Sequence, residues 1–218
     1  MHQPLEQRQA LVVRLRLIGV KPTIWRRLRL ASDFDLRDLH FAIQVAMGWE
    51  TEHLHKFPRW LPAGKRAAPL DLATDYEVGD MDPAEIKRRG LTTERDVRCD
   101  QVFRDVGDKL EYIYDFGDGW EHVLRLESVE PWPEGSPGVI CLAGQRACPP
   151  EDSGGVYGYA DLLERLAERT SGSASGGGRE DDEDLEWIVD PDFDPERFDL
   201  DEVNKQLGSA FVDPAARQ

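Results

Sequence analysis

The segment KLEYIYDFGDGWEHVLRLESVE, residues 109–130, holds two runs of alternating residues on either side of a Gly-Asp-Gly turn. Alternation with a period of two is typical of a strand with one buried face, and such runs around a short glycine turn indicate a hairpin. We expect Ile113 and Leu124 to be buried. We also expect the aromatic residues to serve as core and cross-strand packing rather than as a stacking platform. These aromatic residues are Tyr112, Tyr114, Phe116 and Trp120.

A second hairpin is predicted nearer the start of the chain. Residues 11–18, LVVRLRLI, alternate apolar and basic side chains, residues 19–22 supply a turn, and residues 24–30 form a second strand. The following segment, 36–47, has apolar residues at helical spacing and ends before Gly48. One core should therefore collect the inward residues of these elements, namely Leu15, Leu17, Leu39, Ile43, Ile113 and Leu124.

These patterns predict an α+β fold with a mainly antiparallel sheet of about five strands, in the order ββαβ…ββ. The arrangement is expected to be α/β-roll-like, with helices packed on one face. Residues 53–60 predict a third strand limited by Pro58, residues 98–105 a short helix, and 159–166 another helix. Residues 131–156 are rich in Pro and Gly and are predicted to be irregular.

The chain divides into three parts by composition. Residues 10–170 are predicted to form the core domain, with an exposed insertion at 61–95. Residues 171–186 combine a Gly/Ser run with an acidic block and predict a flexible linker. Residues 187–210 predict a helical segment that docks on the core. The docking side chains are expected to be Trp187, Phe193 and Phe198.

Charge and cysteine content narrow the class of protein. The formal net charge is −16, of which residues 1–130 contribute −3 and residues 131–218 contribute −13. Three cysteines are too few for a disulfide framework, and no apolar run is long enough to span a bilayer. The start of the chain lacks the apolar run of a secretory signal. The expectation is a cytoplasmic protein that is not attached to a membrane.

Four motifs together resemble one known family. They are GVKPTIWRRL (19–28), DLHFAIQVAMGWETEHLHKF (38–57), YIYDFGDGWEHVLRLE (112–127) and PPEDSGGVYGYADLL (149–163). In this order they resemble the bacterial plasmid pRiA4b ORF-3-like family, some of whose members are labelled TnpR-type resolvases or insertion-element passengers. The resemblance implies a compact α+β roll and a link to mobile elements, but no established activity. Ser153 stands where many members are expected to carry cysteine, which leaves a metal role at that position unsupported.

Basic residues crowd the first hairpin, and one tryptophan lies among them. In such a combination, the cations can bind phosphates and the aromatic ring can stack on a base. The alternative is a solvated strand face that pairs with nearby acids or with the acidic block. The hypothesis is a non-enzymatic binding or adaptor domain, without a cofactor, that recognises a protein or nucleic acid. Its candidate binding residues are Arg14, Arg16, Trp25, Arg26, Arg27 and Arg29.

The second hypothesis is a metal-binding protein or a hydrolase-type enzyme. On a strand, His53 and His55 would share a face, and His122 with nearby aspartates could join them in a transition-metal site. The alternative is that these histidines bond to backbone or carboxylate groups and hold the hairpins together. No spacing in the sequence places Cys141 beside His122 as a nucleophile pair. A binding domain is therefore favoured over an enzyme.

Overall fold

The structure is a computed structural model that describes residues 1–79, 81–171, 189–190 and 192–211. The described part contains eight strands in a single sheet, five of them longer than three residues. The strands are β1 (Gln9–Leu17), β2 (Trp25–Ala31), β3 (His55–Lys56), β4 (Arg59–Leu61), β5 (Ala68–Pro69), β6 (Lys109–Tyr114), β7 (Trp120–Pro131) and β8 (Val139–Gln145).

Helices occupy the connections between the strands and the end of the described chain. A short 3-10 turn at Glu94–Asp96 lies before the second hairpin. The helices are α1 (Leu36–Met47), α2 (Asp75–Val78), α3 (Pro83–Arg89), α4 (Cys99–Val102), α5 (Gly155–Ser171) and α6 (Leu200–Ala210). The α+β class with a mainly antiparallel sheet is confirmed.

The sheet is antiparallel throughout, in the order β5-β4-β6-β7-β1-β2-β8, with β3 also paired to β6. Both predicted hairpins are present, and β1 joins them because it lies between β2 and β7. In β1, the inward face carries Leu15 and Leu17, which are buried, while Arg14 and Arg16 on the other face are exposed. The sheet therefore has an inner face in the core and an outer face that carries exposed charge.

Helix α1 covers the inner face, and its ends follow from local chemistry. The Asp35 carboxylate accepts from the Asp38 backbone N–H at 2.8 Å, and the reciprocal bond completes a capping box. Gly48, with φ 92°, takes the left-handed conformation that ends the helix. Leu39 and Ile43 are fully buried, as predicted. Helix α6 packs beside α1 and against β8, and Phe193 and Phe198 are partly buried against the core.

Several sequence predictions were wrong in detail. Ile113 lies on the outer face and is only partly buried, because β6 points Leu110 and its two tyrosines inward. Phe116 is 51% exposed in the turn, with the Lys56 ammonium over its ring. The segment 131–156 is not wholly irregular, since it contains β8. The predicted strand 53–60 is divided at Pro58 into β3 and β4.

The structure describes most of the predicted insertion at 61–95 but little of the predicted linker at 171–186. A helix follows Pro83 inside 61–95, as predicted, and no residue of that helix is buried. Residues 172–188, which include Trp187 and the whole acidic block, lie outside the described residues. Among those described, no helix combines the length and the apolar composition needed to cross a bilayer.

Candidate functional site

The outer face of the sheet carries a row of four cationic side chains on four neighbouring strands. Lys109 of β6 is paired in register with Arg125 of β7, Arg125 with Arg14 of β1, and Arg14 with Arg27 of β2. We call these four residues the basic row. Since neighbouring strands lie about 4.8 Å apart, the row spans about 14 Å. Like charges at directly opposed positions destabilise a sheet, so the row has an electrostatic cost in the free protein.

Further candidate binding residues flank the basic row. Trp25 lies diagonally from Arg14, whose guanidinium sits 4.0 Å from the centre of its ring. The indole N–H of Trp25 donates to the Gln145 side chain at 3.1 Å. Arg16 is exposed and in register with Trp25, and Arg29 donates to the Ser136 hydroxyl at 2.7 Å. The face therefore combines cations with one partly exposed aromatic ring.

Acidic residues neutralise only part of this face. Arg27 Nε and the Glu127 carboxylate are 2.5 Å apart. Within the described residues, no acidic group lies within ion-pair distance of Lys109, Arg125 or Arg16. The basic row therefore keeps a net positive charge on a chain whose sum is strongly negative.

Arg26 does not belong to this surface. It is 2% exposed and points to the inner face, opposite in phase to Arg27. Its guanidinium donates to three backbone carbonyl groups and lies over the Phe198 ring, 4.3 Å from the ring centre. Burial lowers the pKa of Arg26. The side chain has a structural position in the core rather than a place on the binding face.

The three histidines of the second hypothesis occupy separate environments. His122 is buried, and its Nδ1 donates to the carbonyl oxygen of Trp120 at 3.0 Å. Burial lowers its pKa to about 3, so the imidazole is neutral at physiological pH. Its ring packs against Tyr112 and Trp49 inside the core. His122 therefore helps to hold the second hairpin and does not join the other two.

His55 belongs to a buried polar chain between β3 and α1. Its Nε2 lies 3.0 Å from the carboxylate of Glu94, which is 1% exposed. Its ring stacks on that of His40, with centroids 3.5 Å apart. The His40 Nδ1 lies 2.8 Å from the Tyr112 hydroxyl, which also accepts from Gln44. The geometry of His55 therefore fits the alternative in which the histidine interacts with a carboxylate and holds the surrounding elements together.

His53 has different hydrogen-bonding surroundings, because it lies in the loop before β3 and not in the strand itself. Its Nε2 lies 3.4 Å from Asp152, 3.7 Å from Glu151 and 4.0 Å from Asp115, each measured to a carboxylate oxygen. We call these four residues the His53 cluster. His53 also lines a cleft of about 520 Å³, together with His40, His55 and Glu94.

Three loops contribute to the His53 cluster, and the first of them, residues 48–54 between α1 and β3, carries His53 itself. The turn after β6 brings Asp115, whose Oδ1 accepts from the Gly117 N–H at 2.8 Å. The loop 149–155 brings Glu151 and Asp152, and it docks where Gly154 N–H donates to Asp118. Gly155 is required there, because a Cβ would lie 2.4 Å from the Asp118 carbonyl oxygen. Thr51, Asp115 and Asp152 all have positive φ, which non-glycine residues rarely adopt.

The cysteines offer no nucleophile. Cys141 lies on β8, separated from His122 on β7 by two intervening strands. Burial raises the pKa of Cys141, and it raises that of Cys148 further. Both thiols are therefore protonated at physiological pH and poorly nucleophilic. Ser153, at the position expected to hold cysteine, donates to the Pro150 carbonyl at 2.8 Å.

Sequence reasoning missed part of both sites. The phase of residues 120–127 shows that Arg125 points outward, but only the pairing of β1 with β7 places it beside Arg14. Lys109 joins the same row through β6. Glu151 and Asp152 carry no periodic signal, since they lie in a loop whose docking depends on tertiary contacts.

Comparison with known proteins identifies the family. The family described as "Plasmid pRiA4b ORF-3-like protein" matches residues 9–202. An uncharacterized protein of Sinorhizobium fredii, y4hQ, is 34% identical over 201 residues, which is 91% of each chain. The crystal structure of a protein of unknown function from Methanosarcina mazei, MM3350, aligns with a TM-score of 0.68 and 34% identity, over 89% of this chain and 97% of that one. The chain therefore belongs to the plasmid pRiA4b ORF-3-like family.

Proposed function

We propose that this protein is a non-enzymatic binding domain that holds a single-stranded nucleic acid on the outer face of its sheet. The observation that supports this most is the basic row, in which Lys109, Arg125, Arg14 and Arg27 stand in register on four adjacent strands. Aligned like charges repel one another, and an anionic ligand would relieve that repulsion. A row with an adjacent aromatic ring matches the way open sheet faces hold single strands.

A single strand fits this face better than an acidic peptide. Arginine makes paired hydrogen bonds to phosphate and to carboxylate alike, so the preference for a single strand depends on the aromatic ring beside the basic row. Trp25, partly exposed and in contact with Arg14, provides one ring on which a base could stack. The competing account is that the cations are only solvated or paired within the chain, as Arg27 is with Glu127. Exposed pairs of that kind contribute only about 0–1 kcal/mol.

The test is a titration of the full chain with single-stranded DNA, RNA and an acidic peptide at low salt. We expect both oligonucleotides to bind the wild type, and Arg14→Glu/Arg125→Glu to abolish that binding. The control variant is Arg88→Glu/Lys205→Glu, which changes net charge equally at exposed helical positions that do not belong to the basic row. Binding by the acidic peptide alone would overturn the nucleic-acid proposal and indicate an acidic protein as the partner. Equal binding by both variants, or no binding at all, would remove the proposal.

A further inference from the structure

We propose that the His53 cluster is a binding site for one first-row divalent transition-metal ion, with Zn²⁺ as the ion of best fit. The ligand atoms are His53 Nε2, Asp115 Oδ2 and Asp152 Oδ1, and Glu151 Oε2 faces His53 beside them. The site is independent of the basic row. It also differs from a three-histidine centre, since His55 and His122 take no part in it.

The distances within the cluster fit ligands of a shared ion better than hydrogen bonds. His53 Nε2 lies 3.4, 3.7 and 4.0 Å from the three carboxylate oxygens, all beyond the usual 2.7–3.2 Å of an N–H···O bond. Zinc binds nitrogen and oxygen at about 2.0–2.2 Å in a tetrahedral arrangement, so two of its ligand atoms lie about 3.3–3.6 Å apart. The distances from His53 Nε2 to Asp152 and Glu151 are close to this range, and that to Asp115 is slightly longer. The donor atoms of His53, Asp115 and Asp152 all lie within 4.8 Å of one another.

Unused polar atoms in the cluster point to a missing partner. His53 Nε2 and Glu151 Oε2 are both buried and have no hydrogen-bond partner. The Asp115 side chain is only 9% exposed and directs Oδ2 toward His53. Leaving buried polar atoms unpaired is costly, and an ion between them would satisfy several at once.

The other oxygen of each inner carboxylate is already fixed, so the free oxygens are oriented in advance. Asp115 Oδ1 accepts from the Gly117 N–H. Glu151 Oε1 accepts from the Glu50 N–H and from the Tyr114 hydroxyl, each at 3.0 Å. Such bonds are the supporting contacts that hold metal ligands in place. In the described chain, His53 is the only group capable of positive charge within ion-pair distance of these carboxylates.

The combination of one imidazole nitrogen with carboxylate oxygens favours one class of metal ion. An imidazole nitrogen suits zinc and its neighbours in the first transition row, while calcium and magnesium prefer oxygen ligands throughout. No cysteine reaches the cluster, so a thiolate site is excluded among the described residues. Asp152 is 76% exposed, which leaves a side from which the ion and its water ligands can enter.

A second grouping in the chain supplies a control. His2, Asp105 and Asp108 also bring their donor atoms together. There, however, both oxygens of Asp108 are occupied by backbone N–H groups of Ala63, Arg104 and Asp105. The Asp108 carboxylate is a structural hydrogen-bond acceptor, so His2→Gln should not change metal binding.

The experiment is calorimetric titration of chelator-treated, tag-free protein with Zn²⁺, and with Mn²⁺ and Ca²⁺ for comparison. We expect one Zn²⁺ per chain, bound more tightly than Ca²⁺. His53→Gln and Asp115→Asn should each weaken Zn²⁺ binding by about tenfold or more, and His2→Gln should leave it unchanged. Circular dichroism checks that the variants fold. Asp152→Asn, at an exposed position, provides a loss of affinity that misfolding cannot explain.

The outcomes separate the two accounts of the cluster. The absence of stoichiometric Zn²⁺ binding would overturn the proposal and leave a histidine surrounded by carboxylates. Binding that survives both His53→Gln and Asp152→Asn, or that is lost equally in His2→Gln, would place the ion elsewhere. Tighter binding of Ca²⁺ than of Zn²⁺ would contradict the imidazole as a ligand.

Discussion

Arg26 Nε donates a 2.7 Å hydrogen bond to the carbonyl oxygen of Ala46, which joins β2 to the last turn of α1. The final carbonyls of a helix have no partner within the helix and carry partial negative charge, so a buried cation is stabilised there. The same guanidinium donates to the Gln145 carbonyl and lies over Phe198. One side chain therefore links β2, β8, α1 and the segment before α6.

Replacement of Arg26 by methionine should lower the free energy of unfolding by about 1–3 kcal/mol. The carbonyl oxygens of Ala46 and Gln145 would lose their donor while remaining inside the protein. The matched control is Arg27→Met, one residue away on the outer face, which should cost about 1 kcal/mol or less. Urea unfolding measures both. Equal losses for the two variants would contradict the structural role assigned to Arg26.

Truncation of Ile43 to alanine should cost about 2–5 kcal/mol, because its side chain is fully buried between α1 and the sheet. Ile113→Ala removes the same atoms from the outer face and should cost clearly less. Comparing the urea midpoints at unchanged m-value isolates the effect of burial. A larger loss at Ile113 would mean that the phase of β6 is the reverse of that described here.

The case of Ile113 shows where sequence patterns fail. Residues 109–114 alternate, but tyrosine and isoleucine are both acceptable on a buried face, so the period does not choose between the two phases. The choice depends on tertiary partners, since His40 and Gln44 bond to the Tyr112 hydroxyl in the core. The hairpin was predictable from its own residues, but its buried side was not.

In the candidate sites, too, the sequence pattern predicted some features, while others depend on long-range contacts. The exposure of Arg14 and Arg16 and the opposite phase of Arg26 follow from alternation alone. The register that adds Lys109 and Arg125 is a long-range property of the sheet. His53 was identified as a candidate together with nearby aspartates, but Glu151 and Asp152 were not, because they come from a loop without periodicity. Strand β8 was missed because it lies between Pro- and Gly-rich residues that resemble a loop.

His122 should make stability depend on pH in a defined window. Its folded pKa of about 3 lies below the ordinary value of 6.5. Below pH 6.5 the unfolded chain therefore binds a proton that the folded chain does not. The contribution is constant above pH 6.5, and stability falls by up to about 1.4 kcal/mol per pH unit between 6.5 and 3.

The check is the difference in unfolding free energy between wild type and His122→Gln, measured from pH 7.5 to 4.5. Carboxylates titrate in both proteins, so the difference isolates the imidazole. We expect the wild type to lose more stability than the variant as the pH falls. A difference that stays constant with pH would show that the pKa of His122 is the same in the folded and the unfolded chain.

Deletion of residues 171–184 should leave the melting temperature nearly unchanged, since this segment contains almost no apolar side chains. It should also raise the affinity for single-stranded nucleic acid at low salt, because the removed acids would compete for the basic row. Thermal melting and the same titration measure the two effects. A marked fall in melting temperature would instead indicate that the acidic block is docked and stabilising.

Binding of phosphates along the basic row predicts a definite salt dependence of the affinity for a single strand. If four phosphates of a single strand are neutralised, the logarithm of the association constant should fall with that of salt concentration with a slope of about −3. Arg14→Gln/Arg125→Gln should reduce the slope by about 1.4, while Arg88→Gln/Lys205→Gln should retain the wild-type value. Identical slopes for all three proteins, or the absence of binding at low salt, would show that the basic row does not bind phosphates.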